Sequence, residues 1–478
     1  MERLLNALEM KAVDDYTINN LGFSSQMLIE RAGTAVAMEI VKRFKGGRVL
    51  CCVGKGNNGE DGKVIARCLS DIHGFSVSTL NIRNGIFRLL DKEYDIIVDC
   101  IFGTGLNRQI EGKYKEAIEK INSKNAYIVS CDIPSGLNAT TGEIFGACVR
   151  ANLTVAIQEL KLGFYLNDGV DYTGEVVKKD IGMSVWGDDY VKRLNDNDAK
   201  SFFEERKRNV HKGSFGKAMV MGGSKQYSGS IMLSANALAS LKMGCGYSTV
   251  VVPDCLFSSF CGVNPEIILT PLADDGNGFT YDQNSLKTFL NNNSIALGMG
   301  MGVTENTYNI VKFFLDNFTG TLILDADALN SISKFGVDVL QDKKCNVVLT
   351  PHIQEFSRLL NIKKELIMSD IITLSKEFAS KFGIVLLVKS ATSVITDGEE
   401  TFVNTTGCSG MAKCGSGDVL SGLISGITAR GFDVLHSVAV SSYLFGRAGE
   451  LAQESLTEFV MTASNIINYL PKAIKSFG

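Results

Sequence analysis

The sequence predicts an α/β protein built from two three-layer αβα domains. Short apolar runs of β character recur along the chain, and most are followed by a polar, glycine-rich loop and a helical pattern. This alternation is typical of parallel sheets covered by helices on both faces. The pattern lapses over residues 184–210, where charge rises and periodicity is lost. We therefore place a boundary near residue 190, with domains at 1–190 and 191–478.

Composition excludes several classes of protein. The chain has 478 residues, of which 45% are hydrophobic and 21% charged, as in globular proteins with an ample core. A net charge of −4 offers no basic surface for nucleic acid. No apolar run reaches the roughly 18 residues of a membrane span, and the charged first turns show no secretory signal. We expect a cytoplasmic homo-oligomer without nucleic-acid or membrane partners.

The twelve cysteines include no C-x-x-C pair. Four of them, Cys51, Cys52, Cys100 and Cys131, lie within apolar runs that resemble strands. Buried free thiols in a reducing compartment explain this distribution better than disulfides or zinc sites.

The first domain opens with two helical patterns, a short strand, RVLCCVG, and the loop GKGNNGEDG. Strand, glycine loop and helix together form the opening of a nucleotide-type βαβ unit. Gly54, Gly56 and Gly59 satisfy G-x-G-x-x-G, but the next strand does not end in the acid that holds a ribose in NAD dehydrogenases. The loop also lacks the Lys-Ser/Thr of a Walker A motif. It is either a polar ligand-binding loop or an ordinary surface turn.

Two further strand ends carry polar loops. The run DIIVDCIFGTGLNR places Asp99 near the end of a strand, and YIVSCDIPSGLNATTG places Asp132 at the end of the next, ahead of Ser135. Strands are also predicted at 153–157 and 175–178. Carboxyl ends of neighbouring parallel strands meet at one edge, where open α/β sheets bind ligands. Each loop alone is more often a turn, but three together indicate a site.

The second domain repeats the pattern. A strand at Lys217–Met221 leads to the loop Gly222-Gly-Ser and to a helix predicted from Ile231 to Lys242. Further strands lie in STVVVP, SIALGMGMG, TLILDADALN, CNVVLTPHIQEFSRLL and IVLLVKSATSVIT. This order predicts a second parallel sheet between helices.

The segment Thr405–Gly426, TTGCSGMAKCGSGDVLSGLISG, places Asp418 where a glycine loop enters a helix predicted over Val419–Ile427. Free N–H groups at a helix start favour an anion. A carboxylate beside them can take a proton from an attacking hydroxyl during phosphoryl transfer. Asp418 could instead cap the helix, and the strand-end residues His352 and Lys389 could be structural. Jointly, Asp418, His352 and Lys389 and the strand-end acids Asp325 and Asp327 have the composition of a phosphoryl-transfer site.

The loops of the first domain resemble the motifs of the NAD(P)H-hydrate epimerase family, as does MLIERAG at 27–33. These enzymes interconvert the R and S epimers of hydrated NADH or NADPH. The resemblance implies a Rossmann-like fold for this domain, and Asp132 as the acid/base group. It implies a potassium ion held by Asn58, Asp99 and Ser135, whose oxygens suit a hard cation. The implied substrate pocket is lined by Asn57, Asn58, Gly59, Glu60, Asp61, Gly103, Thr104, Gly105, Leu106, Asn107, Arg108, Gln109 and Asp132.

Glu60 departs from the epimerase pattern, which usually has Gly-Gly-Asp where this chain has Gly59-Glu60-Asp61. The extra carboxylate lies near the expected position of a phosphate-bearing ligand. An inward-pointing Glu60 side chain would oppose epimerase activity.

The second domain resembles the ADP/ATP-dependent NAD(P)H-hydrate dehydratase family, which has a ribokinase-like fold. The matching runs are HKGSFG, GGS, GMGMG, LDADALN, LTPHIQEF, VKSATS and GMAKCGSGDVLSG. The resemblance implies that Asp418 deprotonates the ring hydroxyl, which is phosphorylated and then lost as phosphate, with Mg²⁺ accompanying the nucleotide. The implied substrate contacts are Gly302, His352, Glu355 and Asp418. The implied ADP contacts are Lys389, Ser390, Ala391, Thr392, Ser393, Cys408, Ser409, Gly410, Met411, Ala412, Lys413, Cys414, Gly415, Ser416 and Gly417.

Three positions depart from the dehydratase pattern. Ser390 stands where a glycine is usual, Ile353 and Gln354 follow His352 in place of Pro-Gly, and Met299 replaces a common proline. These positions are peripheral to Asp418. We expect altered affinity rather than lost chemistry.

Both motif sets occur in the fused order of bifunctional NAD(P)H-hydrate repair enzymes. The first domain is expected to equilibrate the epimers, and the second to dehydrate the S form of NADHX or NADPHX to NAD(P)H at the expense of ADP or ATP. The alternative is a ribokinase-like small-molecule kinase with a non-catalytic N-terminal nucleotide-binding domain. Such a kinase would release a stable phosphorylated product rather than inorganic phosphate.

Overall fold

The computed structural model describes residues 1–85, 87–203, 205–239 and 244–477. The chain forms two compact units, one of Glu2–Val191 and the other of Lys192–Gly478 with Met1. None of the helices in the described residues combines the length and hydropathy needed to span a bilayer.

The described residues of the first unit form eight strands and five α-helices. Its strands are β1 (Glu2–Leu5), β2 (Gly47–Val53), β3 (Phe75–Asn81), β4 (Ile96–Cys100), β5 (Tyr127–Cys131), β6 (Leu153–Ile157), β7 (Leu160–Lys161) and β8 (Glu175–Lys179). Its helices are α1 (Ala7–Asn19), α2 (Ser25–Arg43), α3 (Asn57–Ser70), α4 (Gly112–Asn122) and α5 (Gly169–Tyr172), with 3₁₀ turns at Ile82–Asn84, Arg88–Asp91 and Leu162–Phe164.

Six strands of this unit form one parallel sheet in the order β3-β2-β4-β5-β6-β8. Side chains alternate between its faces, as the pleat requires. In β2, Cys51 packs into the core formed with α2 and α3, whereas Cys52 packs into the core beneath α4. The unit is therefore a three-layer Rossmann-like sandwich, and the predicted fold class is confirmed.

Strand β1 was absent from the sequence prediction, which gave only helices in the first 45 residues. It pairs in parallel with β7, with Leu4 opposite Leu160. Both strands are very short, so neither carries enough alternation to stand out in the sequence. Helix α1 packs near Trp186, whose ring centroid lies 4.3 Å from that of Tyr16.

The second unit has the remaining elements. Its strands are β9 (Val191–Arg193, at the division between the units), β10 (Lys217–Met221), β11 (Tyr247–Pro253), β12 (Ile268–Leu272), β13 (Ser294–Leu297), β14 (Thr321–Leu324), β15 (Asn346–Leu349), β16 (Val385–Val388), β17 (Ser393–Thr396) and β18 (Thr401–Asn404). Its helices are α6 (Asp196–Lys200), α7 (Ser228–Ala239), α8 (Asp254–Phe260), α9 (Gln283–Lys287), α10 (Glu305–Asn317), α11 (Asp327–Phe335), α12 (Ile353–Leu360), α13 (Lys364–Ser369), α14 (Ile371–Phe382), α15 (Ser416–Thr428), α16 (Val434–Leu456) and α17 (Ala463–Ser476). Its 3₁₀ turns are Ser201–Phe203, Lys212–Phe215, Val337–Leu340 and Ser409–Met411.

The sheet of this unit runs β12-β11-β10-β13-β14-β15-β16-β17-β18. In this order, the seven strands from β12 through β11 and β10 to β16 are parallel. They share an apolar core with α7, α15, α16 and α17. Strand β17 is antiparallel to both β16 and β18. The run IVLLVKSATSVIT therefore holds two strands: β16 ends at Val388, directly before Lys389, which was predicted at a strand end, and β17 follows as a separate strand.

A local turn explains the break between β16 and β17. The Ser390 hydroxyl donates to the Thr392 carbonyl at 2.7 Å and accepts from the Thr392 N–H at 3.3 Å. Serine favours such turns by bonding to nearby backbone groups. The departure at Ser390 thus has a structural role at the end of β16.

Two predicted helices can be compared with the structure. The helix predicted over Val419–Ile427 is confirmed as α15. The one predicted from Ile231 to Lys242 is present as α7, but residues 240–243 lie outside the described residues.

All twelve cysteines are free. Cys51, Cys52, Cys100 and Cys131 are buried, as their apolar surroundings in the sequence predicted. Cys414 is exposed in the glycine loop before α15.

Candidate active sites

The first candidate site lies at the carboxyl ends of β2, β4 and β5. Gly54 and Gly59 let α3 begin directly against the sheet. A Cβ on Gly54 would lie 1.9 Å from the Ile101 carbonyl oxygen, and one on Gly59 would lie 2.5 Å from the Gly54 carbonyl oxygen. Only glycine fits such approaches. The G-x-G-x-x-G match therefore reflects close packing at the start of α3.

Glu60 points away from the site. Its carboxylate accepts a hydrogen bond from Lys63 Nζ at 2.7 Å, and both side chains are about half exposed. An i,i+3 pair of this kind stabilises the outer face of a helix. The inward orientation that would oppose the epimerase is not the one adopted.

Asp61, the next residue, is buried. Desolvation, followed by repulsion from Asp132, Asp14 and Glu60, raises its pKa to about 8. The carboxyl is therefore protonated at neutral pH and can donate a proton.

Asn58, Asp99 and Ser135 come together beneath the loop that follows β4. Ser135 donates through its hydroxyl to Asp99 Oδ1 at 2.6 Å and through its backbone N–H to Asp99 Oδ2 at 2.8 Å. Asn58 Nδ2 donates to the Phe102 carbonyl at 2.8 Å. Burial raises the pKa of Asp99, and these hydrogen bonds counteract the rise.

Two features of this cluster are compatible with a bound cation. Oδ1 of Asn58 is buried and meets no hydrogen-bond donor in the described part of the chain. Asp99 is fully buried and forms no ion pair with any described residue. The Asp99 carboxylate accepts hydrogen bonds from Ser130, Ser135 and the Ile101 N–H. A cation would offset its remaining buried charge and satisfy Asn58 Oδ1. The oxygen donor set fits a hard cation.

Asp132 is held at the end of β5 by a fully buried lysine. Lys161 Nζ is ion-paired with Asp132 Oδ1 and donates to the carbonyls of Ile157 at 2.7 Å and Glu159 at 3.0 Å. The Ile157 N–H also donates to Asp132 Oδ1, at 3.1 Å. Asp132 has φ 66°, a left-handed conformation that is uncommon outside glycine. The described donors to the Asp132 carboxylate all meet Oδ1, so this oxygen is fixed by the protein.

Sequence reasoning missed Lys161 and Asp14. Asp14, on α1, has its pKa raised to about 6 by burial and by Asp132, whereas Lys161 lowers it. The signal available for Lys161 was a lysine at the end of an apolar strand, in TVAIQELK. Nothing in the sequence indicated that the charge of Asp132 would act on Asp14, because the fold alone brings the two near each other.

Only part of the loop after β4 lies against this site. Gly103 lies against Asn58, and a Cβ there would be 3.4 Å from that of Asn58. Thr104 and Leu106 are half-buried, whereas Gly105 and the side chains of Asn107, Arg108 and Gln109 are exposed.

The second candidate site lies where α15 begins. Gly415 has φ 93°, which glycine adopts without strain, and Ser416 opens the helix after it. The Ser416 hydroxyl donates to the Met411 carbonyl at 2.8 Å, so the loop closes on itself. The first N–H groups of a helix have no acceptor within it and can meet an anion. That of Ser416 donates instead to the Lys413 carbonyl, at 3.4 Å.

Asp325 and Lys389 form an ion pair beneath this helix end. Lys389 Nζ donates to Asp325 Oδ1 at 2.7 Å, and the Ser421 hydroxyl of α15 donates to Asp325 Oδ2 at 2.6 Å. A Cβ on Gly417 would lie 3.2 Å from Lys389 Nζ. The ammonium group is therefore immediately under the glycine loop.

Asp418 lies in the same cluster. Desolvation and repulsion from Asp325 raise its pKa to about 6, and a hydrogen bond from Ser230 together with the charge of Lys389 lowers it. A carboxylate with a pKa near neutrality is suited to general base catalysis. Ser230 and Ser421 were not among the predicted site residues, since serines in helices give no sequence signal.

His352 and Glu355 begin α12 as a capping box. His352 Nδ1 accepts from the N–H groups of Gln354 and Glu355, at 3.1 and 3.3 Å, while Glu355 Oε2 accepts from the His352 N–H at 2.9 Å. Burial raises the pKa of Glu355 to about 7, and burial lowers the pKa of His352, aided by Lys389. Because Nδ1 accepts hydrogen bonds, the neutral ring carries its proton on Nε2.

Gly302 connects these acids to a cavity. Its N–H donates to Asp327 Oδ2 at 2.8 Å, and burial raises the pKa of Asp327. Beside it lies a cavity of about 390 Å³, lined in part by Tyr227, Asn277 and Phe279. A volume of this order suits part of a small-molecule ligand.

The residues predicted to bind ADP lie in two segments of the second unit. The segment 389–393 forms the turn between β16 and β17, with Ala391 exposed and Thr392 buried. The segment 408–417 forms the glycine loop before α15. Lys389 of the first segment reaches Gly417 of the second. The remaining members of this set, not otherwise described, are Ser393 at the start of β17 and Ala412 beyond the 3₁₀ turn.

Two family profiles match the chain. One described as NAD(P)H-hydrate dehydratase matches residues 218–472, and one described as YjeF-related protein N-terminus matches residues 25–87 and 84–163. These matches fall in different units of the structure.

Curated relatives match over nearly the whole chain. The bifunctional NAD(P)H-hydrate repair enzyme Nnr of Thermofilum pendens is 31% identical, with 98% of this chain and 95% of the relative covered. The protein of the same name from Moorella thermoacetica is 32% identical, with coverages of 99% and 97%.

Solved structures match the second unit. An ADP/ATP-dependent NAD(P)H-hydrate dehydratase from Bacillus subtilis, co-crystallized with ATP/Mg²⁺, is 25% identical with a TM-score of 0.52, covering 60% of this chain and 99% of that one. A ribokinase-like superfamily protein from Enterococcus faecalis is 24% identical with a TM-score of 0.52, covering 62% and 99%.

The fold and the two clusters of acids define an α/β enzyme that joins a Rossmann-like unit to a ribokinase-like unit. Relatives that match both units from end to end bear one name. The chain belongs to the family of bifunctional NAD(P)H-hydrate repair enzymes. These matches favour the repair enzyme over the alternative of a small-molecule kinase.

Proposed function

We propose that the chain repairs hydrated NADH and NADPH by two reactions. The first unit interconverts the R and S epimers, and the second dehydrates the S epimer at the expense of ADP or ATP. The observation that carries the proposal is the position of Asp418 beside the glycine loop, above the Asp325–Lys389 ion pair. An acid poised near neutrality beside a helix N-terminus and an ammonium suits phosphoryl transfer.

In the dehydratase reaction, Asp418 accepts the proton of the ring hydroxyl as its oxygen attacks the terminal phosphorus of the nucleotide. The N–H groups of the loop ending at Gly417, together with Lys389, stabilise the charge that develops on the transferred group. Phosphorylation turns hydroxide, a poor leaving group, into phosphate. The carbon–oxygen bond then breaks, phosphate departs, and loss of a ring proton restores the dihydropyridine.

The remaining dehydratase residues position the substrate. Gly302 and its cavity receive part of the dinucleotide, while His352 and Glu355 lie at the edge of the reacting ring. The segments 389–393 and 408–417 hold the adenine nucleotide. In support, both segments meet at Lys389 and Gly417.

Magnesium would reach this site with the nucleotide phosphates, where it neutralises part of their charge. No group of three His, Cys, Asp or Glu side chains in the described part of the chain is arranged to hold a metal by itself. Magnesium is commonly bound through one or two carboxylates and the substrate phosphates. Asp327, whose negative charge helps to raise the pKa of the neighbouring Asp418, is a carboxylate suited to that role.

In the epimerase reaction, Asp132 acts as the acid/base group at the hydrated ring. Lys161 fixes Asp132 Oδ1 and leaves Oδ2 for the substrate. Asp61, protonated at neutral pH, can donate a proton to the ring oxygen while Asp132 accepts one. Residues 57–61 and 103–109 form the pocket around the ring and its phosphates.

Potassium would be held by Asn58, Asp99 and Ser135. Among the described residues, Asn58 Oδ1 is buried and meets no donor, and the buried Asp99 carboxylate meets no cationic side chain. Both observations support this assignment. The bound cation would offset the charge of Asp99 and fix the loops after β4 and β5.

Further expectations belong to this proposal. Residues 1–190 carry the epimerase and 191–478 the dehydratase. The enzyme works as a homo-oligomer in the cytoplasm, where its twelve free thiols suit a reducing compartment.

The test is recovery of dihydronicotinamide absorbance by the purified full-length chain. A mixed R/S NADHX pool is supplied with Mg²⁺, K⁺ and ADP, then with ATP. Recovery of the whole pool with release of inorganic phosphate supports both reactions, and recovery of the S fraction alone rejects the epimerase. A stable phosphorylated product would instead identify the chain as a kinase. Asp418→Asn is the matched control for background repair.

A further inference from the structure

The glycine loop of the second unit is tied to the end of α16. The Gly407 N–H donates to Glu450 Oε1 at 2.9 Å, and the Gly410 N–H donates to Gln453 Oε1 at 3.1 Å. Both acceptors lie on one face of α16, one turn apart. These two N–H groups are therefore used by the protein.

Beyond α16 lies a tight segment, residues 457–461, which we name the clamp turn. It starts at Thr457, whose φ of 68° is left-handed and strained for a β-branched residue. Strain of this kind persists only where surrounding contacts hold the backbone. Contacts to the glycine loop are suited to provide that restraint.

Lys413 makes the main contact between the loop and the clamp turn. Its Nζ donates to the carbonyls of Glu458 at 3.2 Å, Phe459 at 3.0 Å and Met461 at 2.6 Å. An ammonium group has three hydrogens, so all its donors are used. None remains for a nucleotide phosphate while this geometry holds.

Two further contacts join the same surfaces. The Ser409 hydroxyl donates to Glu458 Oε2 at 2.5 Å. A Cβ on Gly410 would lie 2.2 Å from Met461 Sδ, so only glycine allows the turn to approach this closely.

We propose that Lys413 is a positioning residue, which fixes the nucleotide-binding loop by clamping it to residues 457–461 rather than by contacting the nucleotide. This inference rests on the proposed function, because it assigns the loop to ADP. It differs from the sequence expectation that Lys413 itself binds ADP. Clamping pre-orders the loop, so the ordering cost is not paid again on nucleotide binding.

The experiment compares ADP affinity, measured by calorimetry on the full chain, with steady-state KM and kcat for dehydration. Lys413→Met is expected to raise the Kd and KM for ADP about 5-fold, the size of a typical hydrogen-bond loss, with a much smaller change in kcat. Lys413→Arg is expected to restore most of the affinity, because guanidinium also donates to several acceptors. Lys312→Met, on α10, is the matched surface control.

Glu458→Ala distinguishes the clamping role from a purely electrostatic effect on ADP binding. It breaks the tie to Ser409 and also removes a negative charge near an anionic ligand. Clamping predicts weaker ADP binding, whereas a purely electrostatic role predicts tighter binding. Ser409→Ala, which changes no charge, is expected to weaken binding in the same direction.

Two results would overturn the inference: unchanged ADP affinity in Lys413→Met, or tighter binding in Glu458→Ala. A thermal unfolding scan of each variant confirms that it folds. Absence of ADP binding by the unmodified chain would reject the proposed function instead, so the two failures are distinguishable.

Discussion

At the scale of the single residue, opposing influences set the pKa of Asp418. Burial and Asp325 favour its protonated form, while Ser230 and Lys389 favour the carboxylate. Replacing it with asparagine keeps the shape but removes the base. We expect Asp418→Asn to lower kcat for dehydration about 100- to 10,000-fold, with ADP binding retained, as measured by calorimetry.

The pH dependence follows from the same balance. The reaction needs the carboxylate, and the pKa of Asp418 is raised to about 6. Activity should therefore be full above that pH and fall as pH drops through it, about tenfold per pH unit below. The measurement is kcat/KM for dehydration against pH.

Glu355 provides the control for this profile, because its pKa is raised to about 7. If Asp418 is the base, kcat/KM in Glu355→Gln still falls on the acid side with a midpoint near pH 6. If this fall in kcat/KM shifts to another pH or disappears in Glu355→Gln, the titrating group is Glu355 instead.

Lys161 is the residue on which Asp132 depends. Removing one partner of a buried ion pair leaves the other uncompensated, at a cost of roughly 3–5 kcal/mol. We expect Lys161→Met to lower the free energy of unfolding by this order and to reduce epimerase activity, measured as the rate of R-to-S conversion. Lys178→Met, whose pair with Glu159 is only partly buried, should cost far less.

What the sequence reveals at this scale is limited to residues next to recognisable loops. Asp132 lies at a strand end ahead of a polar loop and Asp418 follows a glycine loop, so their neighbourhoods were visible. Lys161 and Asp14 approach Asp132 only through tertiary packing. The direction of Glu60 was equally hidden, because side-chain orientation depends on where α3 faces its neighbours.

At the scale of the element, the first turn of α15 is the most sensitive part of the second site. Gly417→Ala adds a Cβ 3.2 Å from Lys389 Nζ, while alanine favours the helix by up to about 1 kcal/mol. We expect stability to be kept and kcat/KM for dehydration to fall about 10- to 100-fold, since small misplacements at a reacting centre are costly. Thermal unfolding and kinetics measure the two effects separately.

Gly229→Ala is the matched control, because Gly229 also lies in a helix and nothing lies within 4 Å of its added Cβ. An equal loss of activity in both variants would contradict the role assigned to Gly417.

Long periodic elements were predictable and short ones were not. The α15 helix was visible because its apolar residues recur at helical spacing. Strands β1 and β7 were not visible, because they have only four and two residues and carry too little alternation to mark a strand. The strand end at Lys389 was visible, but the separate strand β17 that follows it was not. The turn between them depends on the hydroxyl of Ser390.

At the scale of the molecule, the parallel order of the first sheet and of most of the second could be inferred from the sequence, because strand, loop and helix alternate in each half. The antiparallel strand β17 could not. The location of each site at the carboxyl ends of strands follows from that order. The clamp turn could not be inferred, since its contacts to Lys413 join segments about one long helix apart.

Potassium is expected to stabilise the first unit of the intact chain. A ligand that binds only the folded state raises the unfolding free energy, by about 2.7 kcal/mol at 100 times its Kd. Thermal unfolding followed by circular dichroism should shift upward in KCl relative to LiCl at equal ionic strength. Asp99→Asn should lose the shift, and an unchanged shift in that variant would locate the effect elsewhere.

The packing of Trp186 against Tyr16 has a practical consequence. Trp186 is the only tryptophan in the chain, and it belongs to the first unit. Its fluorescence therefore reports on that unit alone, while the other unit contributes only tyrosine emission. A single optical experiment on the undivided enzyme can distinguish the melting of one half from that of the other, and can assign each ligand to the half it stabilises.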